Sequence, residues 1–136
     1  MNYALDACAL IAFLNDEEGA DSIEELLDKS LAGDVSLSMS IINLFEVYYG
    51  ELRDKGAEIA QVVLDMARHY SINIINTISE GVFHEAARLK ARYKVSVGDS
   101  IGLATAAELG GLFVSSDHHD LDIIDRSEPG RLYWFR

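Results

Sequence analysis

The chain has 136 residues, of which 49% are hydrophobic and 25% are charged, so a folded globular protein is expected rather than a disordered one. At this length, a single domain over residues 1–136 with a real hydrophobic core is expected. The net charge of −12 argues against non-specific nucleic-acid binding, which depends on Lys and Arg side chains that neutralise phosphates. It does not exclude a nucleic-acid enzyme whose site holds divalent cations.

Cysteine content and the longest apolar run bear on where the protein works. Cys8 is the only cysteine, so an intrachain disulfide is excluded and a reducing compartment is expected. Cys8 itself is expected to be a small core residue. The apolar run near the start, residues 7–14, has eight residues and is far too short to cross a bilayer. The sequence therefore predicts a cytoplasmic protein without a membrane partner.

Short apolar segments of strand character alternate with helical segments along the chain. The predicted strands are Asn2–Leu5, Val35–Ser38, Ile72–Ile75, Leu112–Ser115 and Arg131–Trp134. This alternation predicts an α/β fold, a three-layer α/β/α sandwich around a central, mainly parallel sheet of four to five strands. In such sheets ligands bind beyond the carboxyl ends of the strands, so the residues that follow each strand are candidates for function.

Two of the helical segments have an apolar stripe along one side. The segment from 40 to 52 has a stripe made of Ile41, Ile42, Phe45, Tyr49 and Leu52. Glu46 lies at the edge of that stripe. In the segment from 57 to 70, the apolar positions are 59, 62, 63 and 66. Both patterns predict amphipathic helices.

Four acidic residues occupy positions where an unpaired charge would be costly to bury. Asp6 follows the first predicted strand and Asp117 follows the fourth, so both project from one edge of the sheet, where neighbouring strands lie about 5 Å apart. Asp99 opens a helix of small residues after Gly98, and its ordinary role is an N-cap. A carboxylate that caps a helix still has lone pairs for a metal. The ordinary role of Glu46, at the boundary of a stripe, is to be solvated.

Carboxylates that are held close together repel one another unless a cation compensates their charge. Mg²⁺ or Mn²⁺ is suited to this role, because such hard ions are held by a few carboxylates and water. The ion can activate water and stabilise the leaving oxygen of a phosphodiester. The sequence offers no competing chemistry, since it has no Walker or Rossmann glycine loop, no Cys/His zinc spacing and no Gly-x-Ser-x-Gly nucleophile elbow.

Three segments resemble the PIN-domain family, in particular the VapC-type toxin ribonucleases of prokaryotic toxin–antitoxin pairs: YALDACALIAFL, NLFEV and VGDSIGLATAAELGGLFVSSDHHDL. The last segment is the most specific, with an aspartate that opens an alanine-rich helix, a glycine stop, a short strand and Ser-x-Asp. The resemblance covers essentially the whole chain. It implies a PIN-like fold in which Asp6, Glu46, Asp99 and Asp117 bind Mg²⁺ or Mn²⁺ and catalyse the hydrolysis of RNA.

The resemblance also implies partners and supporting residues. The expected partners are an RNA substrate, a small antitoxin protein and a second copy of the chain in a homodimer. Ser115 matches a residue that orients the last acid, and Asp120 lies near a further, variable acid. The chain departs from the family after Asp6, where Ala7 and Cys8 replace the usual hydroxyl residues. An alternative therefore stays open: a catalytically weak or inactive PIN-like binding module that acts through a protein partner.

Basic residues are few, and they are the candidates for contacts with RNA phosphates. These candidates are Arg53, Lys55, Arg88, Lys90, Arg92 and Lys94. Basic side chains on helix faces are also ordinarily just solvated. No motif in the chain identifies which RNA is bound, because RNA specificity depends on loop shape and on the placement of such side chains.

Overall fold

A computed structural model describes residues 1–136 and contains five strands and seven helices. The strands are β1 (Asn2–Leu5), β2 (Ser36–Ser40), β3 (Asn73–Ile75), β4 (Leu112–Ser115) and β5 (Leu132–Trp134). The helices are α1 (Ala7–Leu14), α2 (Ala20–Leu31), α3 (Ile41–Lys55), α4 (Ala57–His69), α5 (Glu80–Arg92), α6 (Val97–Glu108) and α7 (His118–Ser127). None of these helices has the length and apolar character that crossing a membrane requires.

All five strands are parallel and form one sheet in the order β3-β2-β1-β4-β5. The central strand β1 pairs Tyr3 with Leu37 on one side and with Leu112 on the other. Every connection between paired strands contains a helix, as parallel pairing requires. The predicted parallel α/β sheet is confirmed, and each predicted strand end lies within two residues of the observed end.

Two helical layers cover the sheet, because successive strand residues point to opposite faces. Leu5 and Val114 pack on one face, in a core that includes buried residues of α1, α2, α3 and α4. Their neighbours Ala4 and Phe113 pack on the other face, with buried residues of α5, α6 and α7. The three-layer α/β/α sandwich predicted from the sequence is therefore confirmed.

The apolar stripes of α3 and α4 are only partly buried. The stripe residues that are exposed form the α3–α4 apolar surface: Ile41, Phe45, Tyr49, Leu52, Ile59 and Val62. The core receives Leu44 and Val47 from α3, which lie outside the stripe of that helix, and the stripe residues Val63 and Met66 from α4. Both helices have apolar residues on two sides, and periodicity alone does not show which side the sheet covers.

Two adjacent glycines join α6 to β4 and differ in what restricts them. A Cβ atom on Gly111 would collide with the backbone of Asn2, whereas Gly110 has open space but a φ of +68°. Gly111→Ala is expected to lower the free energy of unfolding by about 3 kcal/mol, because the backbone of β1 has to move. Gly110→Ala is expected to cost only about 1 kcal/mol of left-handed strain. Urea denaturation measures both losses, and equal losses would contradict the close approach at Gly111.

Candidate functional site

The carboxyl edge of the sheet borders a cleft of about 540 Å³ in which the predicted site residues meet. Asp6 directly follows β1, and Asp117 lies two residues beyond the end of β4. Asp99 comes from the first turn of α6, and Glu46 comes from α3. The structure brings these four acids together, and the further acid Asp120, from the first turn of α7, lines the same cleft.

Three of these acids lie especially close to one another. One carboxylate oxygen each of Asp99, Asp117 and Asp120 lies within 4.8 Å of the others. Such a group of oxygen atoms is typical of ligands that share one hard divalent cation. Asp6 and Glu46 line the cleft outside this group. The sequence resemblance gave Asp120 only a minor place, whereas the structure places it among the nearest oxygen donors.

Helix starts hold three of the acids in place. Asp6 and Asp117 are the N-caps of α1 and α7, and each accepts a hydrogen bond from a backbone N–H of its helix. Asp99 is not an N-cap, so the ordinary role of such an aspartate does not apply here. The N-cap of α6 is Ser96, whose Oγ accepts a hydrogen bond from the Asp99 backbone N–H at 3.1 Å. The Asp99 carboxylate is therefore not used as a cap and remains available to the cleft.

Ser115 connects the acids that follow β1 and β4. Its hydroxyl donates to Asp6 Oδ2 at 2.6 Å, and its Oγ accepts a hydrogen bond from the Asp117 backbone N–H at 3.1 Å. The other oxygen of Asp6 accepts from the Ala7 backbone N–H at 2.7 Å. The family resemblance assigned Ser115 to the last acid alone. Ser115 therefore also gives Asp6 a hydroxyl contact, although neither Ala7 nor Cys8 carries a hydroxyl group.

Cys8 lies beside Asp6 and lines the cleft, in addition to packing on the core as predicted. Its Sγ is 3.4 Å from Asp6 Oδ2. Burial raises the pKa of the Cys8 thiol to about 12, and the negative charge of Asp6 acts in the same direction. The thiol therefore stays protonated at neutral pH and is a weak hydrogen-bond donor to Asp6 rather than a nucleophile.

Glu46 is held by a residue that sequence analysis missed. Asn43 Nδ2 donates a hydrogen bond to Glu46 Oε1 at 3.1 Å and another to the backbone carbonyl of Gly98 at 3.1 Å. The signal in the sequence was the spacing, since side chains three residues apart are neighbours on a helix. A polar side chain one turn before a candidate site acid deserved consideration as its partner.

The cleft has no positive charge paired with the predicted acids. No Lys, Arg or His side chain forms an ion pair with Asp6, Glu46, Asp99 or Asp117. Burial raises the pKa of Asp99 to about 9, and the charges of Asp6 and Asp117 add to this rise. Burial also raises the pKa of Asp6 and of Glu46. An oxygen-only set without a protein cation fits a divalent metal such as Mg²⁺ or Mn²⁺.

The basic residues considered for RNA contacts are mostly elsewhere. Only Arg53 lines the cleft, and its Nε is 2.8 Å from a carboxylate oxygen of Asp54. Lys55 pairs with Glu51. Arg88 forms its ion pairs outside the cleft. The cleft itself is therefore strongly acidic, and a bound cation would have to supply most of the attraction for a phosphate.

The chain matches one family model over nearly all of its length. The model is described as the PIN domain, and it matches residues 3–126. The chain belongs to the PIN-domain family. This confirms the resemblance seen in the acidic motifs. No curated protein sequence matches this PIN-domain chain.

Solved structures with the same fold come from toxin–antitoxin systems. VapBC2 from Rickettsia felis, bound to a DNA fragment from its promoter, matches with a TM-score of 0.74 and 22% identity over 98% of this chain and 97% of that chain. DNA-bound VapBC from Salmonella typhimurium matches with a TM-score of 0.70 and 17% identity over 100% and 99%. A toxin-antitoxin complex from Klebsiella pneumoniae matches with a TM-score of 0.66 and 24% identity over 88% and 89%. At these identities the likeness establishes a common fold.

The raised pKa of Asp99 predicts how the stability of the metal-free protein depends on pH. Burial raises the pKa of Asp99 to about 9 in the folded chain, whereas the ordinary pKa of an aspartate is 3.8. Between these values the folded state binds more protons than the unfolded state, so stability falls as pH rises. Asp99→Asn removes this loss, and its melting temperature in EDTA at pH 8 is expected to exceed that of the wild type by several degrees.

A role of Asp99 in holding a divalent cation predicts that the same variant gains less stability from Mn²⁺ than the wild type does. Asp34→Asn, which changes an exposed acid before β2, is the matched control and should behave like the wild type. Thermal unfolding at pH 5 and pH 8, each with EDTA and with Mn²⁺, measures these effects. Identical melting curves for Asp99→Asn and the wild type under all four conditions would contradict the raised pKa assigned to Asp99 and its effect on stability.

Proposed function

We propose that this PIN-domain chain is a metal-dependent endoribonuclease and the toxin of a toxin–antitoxin pair. The observation that carries the proposal is a single cleft lined by Asp6, Glu46, Asp99, Asp117 and Asp120, in which the first four have no cationic partner. Family membership supports a nuclease, and the printed names of the solved relatives support the toxin–antitoxin context. The RNA substrate rests on the resemblance to VapC-type ribonucleases.

In this proposal the acids divide the work between holding the metal and placing the water. Asp6, Asp99 and Asp117 hold Mg²⁺ or Mn²⁺, with Asp120 as a further ligand. The ion supplies charge stabilisation to the phosphodiester and lowers the pKa of water. Glu46 completes the set of ligands or orients the attacking water. Its Oε1 is occupied by Asn43, whereas its Oε2 accepts no hydrogen bond from the protein and is available to that water.

The α3–α4 apolar surface supports the proposal that this chain binds a protein partner. It borders a groove of about 260 Å³ that is lined only by apolar and aromatic side chains, namely Ile41 and Phe45 of that surface together with Leu44, Tyr48 and Leu64. Exposed apolar patches of this kind mark interaction sites, and a groove between helices suits the apolar face of another helix. We propose that the antitoxin covers this groove. The homodimer remains an expectation from the family resemblance.

The same groove favours a second candidate function. A PIN-like module that is catalytically weak would still use the α3–α4 apolar surface to bind its partner. Ala7 and Cys8, which lack hydroxyl groups, keep this candidate open. The two candidates differ in one measurable property, because only the nuclease needs the acidic cleft to hold a metal and cut RNA.

Cleavage of mixed cellular RNA tests the nuclease. The purified chain, free of any antitoxin, is expected to cut in Mg²⁺ or Mn²⁺ and to stop in EDTA. Asp6→Asn combined with Asp99→Asn should reduce the cleavage rate at least about 100-fold. Even the mutation of a residue that only orients a metal ligand typically reduces metal affinity or activity about 10- to 100-fold. Asp34→Asn is the control and should cut like the wild type. Cutting by the double variant would contradict the assigned site, and a folded wild type that cuts nothing would favour the binding module.

Co-purification tests the partner surface. The tagged chain, expressed from a DNA segment that includes its neighbouring genes, is expected to retain a small antitoxin. Phe45→Glu should release it, because a charge in an apolar groove is uncompensated. Phe83→Glu is matched in exposure, at 61% against 60% for Phe45, but lies on α5 in the opposite helical layer, and it should retain the partner. Equal binding by both variants would contradict the assigned groove.

A further inference from the structure

Asn43 is a fully buried polar side chain between α3 and the start of α6. Its Nδ2 donates to Glu46 Oε1 and to the Gly98 carbonyl oxygen, both at 3.1 Å. A carbonyl oxygen only accepts hydrogen bonds, so the orientation of the amide is fixed by this pair of contacts. Asn43 thus connects the side chain of Glu46 to the backbone immediately before Asp99.

The other end of the Asn43 amide has no compensating partner. Its Oδ1 is buried and accepts no hydrogen bond. A buried oxygen left in this state costs about 1–3 kcal/mol. A leucine has the same branched skeleton without polar atoms, so it would avoid this cost, although its larger methyl groups need somewhat more space. The unpaired Oδ1 therefore disfavours an asparagine at this position. The contacts that require an amide are the two hydrogen bonds donated by Nδ2.

Gly98 and Gly102 make room for this arrangement. A Cβ atom on Gly98 would collide with the Glu46 carboxylate, and one on Gly102 would lie 2.8 Å from Asn43 Oδ1. The carboxylate of Glu46 is therefore enclosed by the Gly98 backbone on one side and held by the Asn43 amide at Oε1. Its position relative to the first turn of α6 is fixed by contacts, not left to the flexibility of a glutamate.

We propose that Asn43 is a positioning residue that fixes the carboxylate of Glu46 at the cation-binding cleft and ties it to the turn that carries Asp99. This inference rests on the proposed function, because the bound ligand is taken to be a divalent cation and Glu46 is taken to be one of its ligands. Asn43 touches neither the cation nor the substrate. It acts only through Glu46, so removing Glu46 removes its effect.

A double-mutant cycle with Mn²⁺ as the probe tests this dependence. Calorimetry measures Mn²⁺ affinity for the wild type, Asn43→Leu, Glu46→Ala and the combined variant. Asn43→Leu is expected to weaken binding about 10-fold when Glu46 is present, as is typical for residues that orient a ligand. In the Glu46→Ala background the same change should alter affinity by less than about two-fold, because no carboxylate is left to position.

Two controls separate positioning from packing. Asn2→Leu removes a similar hydrogen bond, which Asn2 Nδ2 donates to the Leu109 carbonyl oxygen at 2.9 Å. This bond lies at the end of β1 away from the cleft. The variant should therefore lower the melting temperature in EDTA without changing the affinity for Mn²⁺. Asn43→Ala replaces Asn43→Leu in the cycle if the leucine variant does not fold. An equal loss of affinity in both Glu46 backgrounds, or no loss in either, would overturn the role of Asn43.

The cycle also separates this inference from the proposed reaction. A wild type that binds Mn²⁺ but cuts no RNA would overturn the nuclease, while the binding cycle still decides the role of Asn43. A folded wild type that does not bind Mn²⁺ at all would overturn both the proposed function and the positioning role.

Discussion

Uncompensated negative charge at the carboxyl edge of the sheet is the constraint on which the site depends. Parallel strands bring Asp6 and Asp117 to one edge, and the starts of α1, α6 and α7 all lie there. A helix start contributes only about half a positive charge, which falls off within a turn. This is too little to balance several acids in one cleft. Burial raises the pKa of Asp99 to about 9, and the charges of Asp6 and Asp117 add to the rise. The fold thus creates an excess of negative charge in the cleft, and a cation from solution is suited to neutralise it.

The pairing of the sheet and the geometry of the site are specified together. Leu5 lies opposite Val114 in the register of β1 and β4, and the Asp6 backbone N–H continues the ladder to the Val114 carbonyl at 3.0 Å. This register brings Ser115 beside Asp6. A slip of one residue would turn Ser115 to the other face of the sheet and break its bond to Asp6. The hydrophobic pattern that fixes the register therefore also fixes the distance between two site acids.

The sequence was sufficient for the sheet and for the acids that follow its strands, because both depend on local patterns. Strand alternation identified β1 to β5 closely, and position after a strand singled out Asp6 and Asp117. It was not sufficient for features that depend on a neighbour in space. Periodicity placed Phe45 on the apolar stripe of α3, but tertiary packing decides whether that side is covered, and Phe45 is exposed. The double role of Ser115 and the contact from Asn43 to Gly98 join residues that are distant in the sequence.

An apolar surface that faces water also affects the behaviour of the isolated chain. At high concentration the exposed side chains of α3 and α4 favour self-association, because water is released when they meet any other apolar surface. Under the proposed function, the antitoxin that covers them would also act as a solubilising subunit. The ratio in which the two proteins are synthesised would then determine how much of the free enzyme stays dispersed and how much aggregates.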